Sequence, residues 1–246
     1  ENHSVFQRYL NLYNRAVKED VLNSNQTDGT FNGIFGDFSS TYWDNRKLLK
    51  NWTGKKGTNP PYTLADVIYN LNPNTKIIFL LRNPVQRLYS EYLFFKRGEK
   101  KSVDVFHAKV EAAIRRHLNC LKRHCLRYCS YFYFDGGIRL EVSLYHVYVE
   151  DYLRVLPRDQ VKIVKTDNFS TNMRTVVTDV FRFLDTEIPS EETLTTICSI
   201  GKKNTNIKKY EEAGPMLPAT NRLLSDFYKP HNEKLSLLLK ETIDLD

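Results

Sequence analysis

A chain of 246 residues with 41% hydrophobic content is long enough for one sizeable core and too short for three ordinary domains. No run approaches the roughly 20 apolar residues of a membrane span, and 36 Lys plus Arg against 29 Asp plus Glu leave a net charge of +7. That balance favours acidic partners such as a nucleotide or a sulfated polysaccharide; the aromatics sit at core spacing and no recognition motif accompanies them, which argues against nucleic acid.

From the start, Val5, Tyr9, Leu10, Leu12, Tyr13 and Val17 recur at helical spacing over residues 5–20. The polar stretch Leu22 to Gly29 reads as a loop, and Phe31 to Phe35 as a short strand ending in Gly36-Asp37. Two glycines and the adjacent Pro60 and Pro61 make 53–62 a loop, after which Thr63 is placed to cap a helix from Leu64 to Leu71. The five apolar residues Ile77 to Leu81 predict a buried strand, and the helix behind it is expected to reach about Arg97. A charged turn then leads into a helix through Phe106, Val110, Ile114 and Leu118, and Gly136-Gly137 marks a break. Leu144, Tyr148, Tyr152 and Leu156 form a stripe at four-residue spacing, the pattern of core packing, and Pro157 ends that helix. Val161 to Val164 is a second strand, followed by a helix from about Asn172 to Leu184. The last helix spans roughly Thr220 to Lys240, with Pro230 expected to kink or split it. Strands alternating with helices imply a parallel sheet covered on both faces.

Cys120, Cys125 and Cys129 cluster within ten positions while Cys198 stands far off. An even count suits disulfides, and the cluster lacks the CxxC pair that zinc would favour. Four cysteines allow three full pairings; Cys120–Cys129 with Cys125–Cys198 is the preferred one. N-x-Ser/Thr sequons at Asn2, Asn25, Asn51 and Asn168 point with the cysteines to a secretory compartment. The chain starts at Glu1 with no signal peptide, so a processed form or part of a longer protein is expected.

The chemistry gathers at Arg82. It stands at the carboxyl edge of the Ile77 strand, Asn83 can cap the next helix, and Pro84 fits its first turn. Ser90 lies one turn beyond Arg87 on the same side of that helix. A guanidinium at a strand edge and a hydroxyl on the following helix can converge on one phosphate, at the end of an open α/β sheet where ligands bind. The pattern Arg-x-Pro-x-x-Arg-x-x-Ser-x-Tyr, from Arg82 to Tyr92, resembles the 3′-phosphate-binding segment of sulfotransferases, enzymes that use 3′-phosphoadenosine 5′-phosphosulfate (PAPS).

Other segments extend the resemblance. Gly36-Asp37-Phe38-Ser39-Ser40-Thr41 is similar to the Gly-Glu-x-Ser-x-(Ser/Thr) segment of Golgi glycosaminoglycan sulfotransferases. Tyr89 to Phe95, Asp104 to His107, Gly214 to Pro218 and Asp226 to Pro230 resemble the N-acetylgalactosamine 4-sulfate 6-O-sulfotransferase branch. The likeness runs from about residue 6 to residue 240. It implies an α/β fold, a parallel sheet flanked by helices in the P-loop-NTPase-like sulfotransferase arrangement, over a single domain, 1–246, lacking its N-terminal part. It also implies PAPS as donor without a metal, an anionic polysaccharide acceptor, and a Golgi-luminal or secreted location with any membrane anchor outside this chain.

The resemblance assigns roles as well. Arg82 and Ser90 would hold the 3′-phosphate, while Arg87 either binds phosphate or pairs with Glu91, four residues on. Asp37 would be the general base that takes the acceptor proton. Gly201, Lys202 and Lys203 would belong to a loop closing over PAPS, with Lys208 and Lys209 extending its charge. Three departures stand out. Asp37 is one methylene shorter than the family's glutamate, and Phe38 replaces a lysine found in several relatives. The family's 5′-phosphosulfate loop is also missing: no Lys-x-Gly-Thr-Thr-like run precedes residue 36, and Lys55-Lys56-Gly57-Thr58 follows the wrong kind of segment. That strand–loop–helix is therefore expected upstream, and these residues alone should be poorly active. The alternative is a catalytically inactive relative serving as a secreted carbohydrate-binding or structural protein.

Overall fold

Two parallel strands and the helices that connect and cover them position the site. The computed structural model of the protein describes residues 36–37, 60, 62–95, 101–131, 137–200 and 207–245. The backbone groups into two compact units, 1–41 and 42–246. In the first, Gly36 and Asp37 are described, both exposed; the helix expected over 5–20 and the strand expected over 31–35 lie outside the described residues. The elements below belong to the second unit and are numbered among the described residues.

Helix α1 spans Leu64–Leu71. Thr63 starts it as its sequence position predicts: its N–H and its hydroxyl donate to Asp66 Oδ2 at 2.6 and 3.0 Å. Strand β1, Ile77–Leu81, pairs in parallel with β2, Val161–Lys165, so that Ile77 lies opposite Val161 and Leu81 opposite Lys165. Four helices lie between the strands: α2 Pro84–Phe94, α3 Val103–Leu121, α4 Leu126–Tyr131 and α5 Tyr145–Val155. A 3₁₀ turn, Leu140–Ser143, leads into α5. Helices α6 Thr166–Thr171, α7 Met173–Phe183, α8 Glu191–Ser199, α9 Ile207–Ala213 and α10 Pro218–Leu239 follow β2. This is the α/β arrangement the sequence implied, rich in helix around a parallel pair among the described residues.

Two apolar clusters hold the unit together, and α5 and α10 feed both. One joins Leu88, Tyr89 and Leu93 of α2 to Phe106 and Val110 of α3, Tyr148 of α5, and Leu224 and Tyr228 of α10. The other joins Phe79 and Leu81 of β1 to Val161 of β2, Val149 and Tyr152 of α5, and Leu235 and Leu239 of α10. The predicted stripe of Leu144, Tyr148, Tyr152 and Leu156 is buried throughout, each residue at most 3% exposed. A fully buried Leu or Phe is worth roughly 1.5–3 kcal/mol, so this packing outweighs any single polar contact described below.

The structure corrects three expectations. Helix α2 stops at Phe94 rather than near Arg97: Phe95 is extended, the Lys101 ammonium takes its carbonyl at 2.7 Å, and the Arg139 guanidinium lies over its ring at 4.8 Å. Pro230 does not split α10, which runs unbroken from Pro218 to Leu239. Proline costs that helix the bond to the Asp226 carbonyl. Asp226 and Pro230 are exposed, where water can serve the carbonyl, while Tyr228, Asn232 and Leu235 anchor both flanks. Finally, Cys120 and Cys129 form a disulfide with Cα atoms 5.9 Å apart, but Cys125 and Cys198 are not bridged. Cys120 and Cys129 are buried where α3 meets α4; Cys125 is exposed on the intervening turn and Cys198 is half-buried near the end of α8. A disulfide needs Cα atoms within about 7 Å, which the short α3–α4 connection supplies for the inner pair.

Candidate functional site

The carboxyl end of the strand pair is built by local rules. Leu81 is fully buried and ends β1; one residue past the paired ends Leu81 and Lys165 come Arg82 and Thr166. Asn83 then caps α2, its Oδ1 accepting from the Gln86 N–H at 2.9 Å, and Pro84 occupies the first turn. Tyr145, at the start of α5, donates its hydroxyl to the Arg82 carbonyl at 2.9 Å and so fixes the backbone of the corner. Burial keeps that phenol protonated, raising its pKa. The Arg82 side chain is half-buried, and no described carboxylate pairs with its guanidinium. Ser90, also half-buried, makes no side-chain hydrogen bond to a described residue. The Thr166 hydroxyl is buried and has no partner among the described residues.

Arg87 is in a different situation. Its Nη1 donates to Glu91 Oε2 at 2.5 Å, its Nη2 to the Arg139 carbonyl at 2.8 Å, and its Nε to Ser143 Oγ. Glu91 in turn receives Arg139, whose Nη2 lies 3.0 Å from Oε2 and whose Nε donates to Oε1 at 3.1 Å. Burial works against the charge on Arg87, and the Glu91 carboxylate more than compensates, lifting the pKa above the ordinary arginine value. Of the two roles open to Arg87 in the sequence, the geometry shows the pairing with Glu91. Tyr89, between Arg87 and Ser90 on the inner side, donates to the Gly214 carbonyl at 2.5 Å and packs on Phe106.

The remaining predicted residues are placed as follows. Asp37 is an exposed carboxylate in the first unit. Gly201, Lys202 and Lys203 lie outside the described residues, as do Asn2, Asn25 and Asn51. Lys208 is exposed on α9, and Asn168 is exposed on α6. Among the described residues no three His, Cys, Asp or Glu side chains gather as a metal-binding group, and no helix is long and apolar enough to cross a membrane. Sequence reasoning missed Ser143, Tyr145, Arg139 and Thr166. Glu91 alone carried a signal, its helical spacing from Arg87.

With this geometry in hand, known proteins are informative. The Sulfotransferase domain family matches residues 60–212. Carbohydrate sulfotransferase 15 of Rattus norvegicus is 33% identical over 242 residues, covering 95% of this chain and 43% of that protein. Carbohydrate sulfotransferase 15 of Homo sapiens is 34% identical over 212 residues, covering 85% of this chain and 38% of that protein. The chain thus spans less than half the length of these curated relatives. Among solved structures, a sulfotransferase from Alicyclobacillus acidocaldarius matches with a TM-score of 0.49 at 23% identity, over 74% of this chain and 61% of that one.

Proposed function

The chain belongs to the sulfotransferase domain family, and from that premise we propose that it moves a sulfuryl group from PAPS to a hydroxyl of a glycosaminoglycan of the galactosamine-containing chondroitin or dermatan type. The acceptor oxygen attacks sulfur, the bond from sulfur to the bridging phosphate oxygen breaks, and adenosine 3′,5′-bisphosphate leaves. The acceptor proton passes to a carboxylate. Such a displacement depends on alignment and on cations facing the charge that develops at the leaving oxygen.

One observation carries the reading: Arg82, at the carboxyl edge of β1, keeps its guanidinium clear of every described carboxylate within a corner fixed by Asn83 and Tyr145. Arg82 and Ser90 receive the 3′-phosphate, a forked cationic donor and a neutral one. Arg87 acts as a positioning residue, holding Glu91, Arg139 and Ser143 behind them. Asp37 takes the acceptor proton, and Gly201, Lys202 and Lys203 close over the donor; both assignments rest on the resemblance of their segments. A Golgi-luminal or secreted location agrees with the Cys120–Cys129 disulfide and with the exposed Asn168 that begins a sequon.

Calorimetric titration with adenosine 3′,5′-bisphosphate tests the reading. Wild type should bind saturably, and Arg82→Ala should lose roughly 2–5 kcal/mol of that binding. A well-folded wild type that does not bind the nucleotide overturns it. The departures at Asp37 and Phe38 favour a second reading, a binding protein without transferase activity. Nucleotide binding with no transfer to chondroitin by the complete protein would establish that one.

A further inference from the structure

The positive charge of this protein is not spread evenly. Residues 112–134 hold five Lys and Arg and no Asp or Glu, so the rest of the chain contributes only +2 of the net +7. Arg127 is committed internally, its guanidinium 2.7 Å from Asp151 Oδ1 and donating to the Pro60 carbonyl at 3.0 Å. The other four are Arg115 and Arg116 on α3 and Lys122 and Arg123 on the turn after it; Arg116 is half-buried and the other three are exposed. No described carboxylate pairs with any of them. Elsewhere among the described residues, four exposed arginines find acids, and Arg222 does not: Arg154 meets Asp66, Arg158 meets Glu241, Arg174 meets Glu191 and Arg182 meets Asp179.

The four cations share a surface. Arg115 and Lys122 are seven apart, as are Arg116 and Arg123, two helical turns in each case. The helical path continues past α3, because Arg123 and His124 both donate their N–H to the Cys120 carbonyl, at 3.0 and 2.9 Å. At 1.5 Å per residue the cationic strip is about 12 Å long. The Cys120–Cys129 bridge clamps its base to α4. Cations beyond a helix C-terminus are favoured by its dipole, which accounts for Lys122 and Arg123 but not for Arg115 and Arg116, two turns earlier. Asn119 and Leu118 lie exposed among them, Leu118 at 50%, offering a hydrogen bond and an apolar contact to a sugar ring. The apolar side of α3, Phe106, Val110 and Ala113, is buried in the core and cannot enter a lipid surface.

We propose that Arg115, Arg116, Lys122 and Arg123 form a docking surface for a linear sulfated polysaccharide, apart from the nucleotide-binding residues. The choice of polyanion rests on the sulfotransferase reading; the surface itself rests on charge and geometry. Such a surface captures a long chain by electrostatic attraction that salt screens.

The test measures binding of chondroitin sulfate chains of defined length to the complete protein at low and physiological salt. Replacing the four cations together (R115Q, R116Q, K122Q, R123Q) should weaken binding at least about tenfold and flatten its salt dependence. The milder pair K122Q and R123Q should fall between this variant and wild type. A control removing equal charge from α10 and its C-cap (R222Q, K229Q, K234Q, K240Q) should change binding by less than about twofold. Nucleotide binding should be unchanged in all three. Wild-type affinity in the fourfold variant overturns the proposal. So does an equal loss in the control, a wild type that ignores the polysaccharide, or a wild type that prefers phosphatidylserine vesicles. Failure of the wild type to bind adenosine 3′,5′-bisphosphate counts against the proposed function, and the polysaccharide titrations still decide the surface.

Discussion

Arg82 and Arg87 belong to one stretch of chain, yet their surroundings are opposite. The corner at Arg82 presents a guanidinium that no described carboxylate meets, held by backbone contacts alone: the Asn83 cap and the Tyr145 hydroxyl on the Arg82 carbonyl. One turn into α2, Arg87 directs its donors to Glu91, Ser143 and the Arg139 carbonyl. The first arrangement leaves charge available to a ligand; the second uses charge to lock α2 against the chain around 139–143. A motif with two arginines therefore contains two different jobs, and residue type alone does not separate them. The separation comes from partners far along the chain, Arg139 and Ser143, which reach Arg87 and not Arg82.

The largest expected effect breaks the closed side. Glu91, whose side chain is only 9% exposed, balances two guanidinium groups. Glu91→Ala strands both, and removing one partner of a buried ion pair costs roughly 3–5 kcal/mol. Urea unfolding should show that loss. A change below about 1 kcal/mol would mean that solvent, not Glu91, satisfies Arg87. Arg82→Ala should do the reverse, leaving unfolding within about 0.5 kcal/mol of wild type while nucleotide binding collapses. If Arg82→Ala instead unfolds the protein, the two arginines are not distinct in kind.

Smaller changes sharpen the contrast. Ser90→Ala removes one neutral donor from the open side and should weaken nucleotide binding by about 1 kcal/mol, roughly fivefold, without touching stability. Tyr145→Phe deletes the hydrogen bond that fixes the Arg82 carbonyl. It should cost about 1 kcal/mol of stability and weaken nucleotide binding as well, because this contact joins the two regions. Unchanged binding in Tyr145→Phe would show that the corner keeps its shape without the phenol.

How much of this was legible beforehand follows from the distance over which each signal acts. The strand Ile77–Leu81, the Thr63 cap, the Asn83-Pro84 start and the Leu144 stripe are written in neighbouring residues and appear where periodicity and capping place them, although the strand is not buried along its whole length, Leu80 being 52% exposed. Glu91 is legible as the partner of Arg87 for the same reason. Arg139 and Ser143 lie 52 and 56 residues from Arg87, in a segment whose only sequence mark is a glycine pair, and nothing local announces them. Helices α4 and α9 are too short to show an apolar period. Of the two outcomes open to Pro230, a kink or a split, the split does not occur, because tertiary packing on both sides of it holds one helix together.

A further small effect separates ion pairing as such from the buried network. Asp66, in the first turn of α1, accepts from Thr63 and from Arg154 Nη2, the latter at 2.6 Å. Burial alone would raise its pKa; the Arg154 and Thr63 hydrogen bonds outweigh burial and hold it below the ordinary value of 3.8. A carboxylate depressed in the folded state contributes stability that is complete above its unfolded pKa and disappears as pH falls through the folded one. The stability difference between wild type and Asp66→Asn should therefore be about 1 kcal/mol at neutral pH, the ordinary worth of a helix cap, and should shrink only as the pH drops below 3.8. Arg154 is nearly half exposed, at 46%, whereas Arg87 is 17% exposed, so Asp66 should matter several-fold less than Glu91. Equal losses at the two carboxylates would mean that burial is not what distinguishes the Arg87 network, and the contrast between the two arginines would then rest on hydrogen-bond count alone.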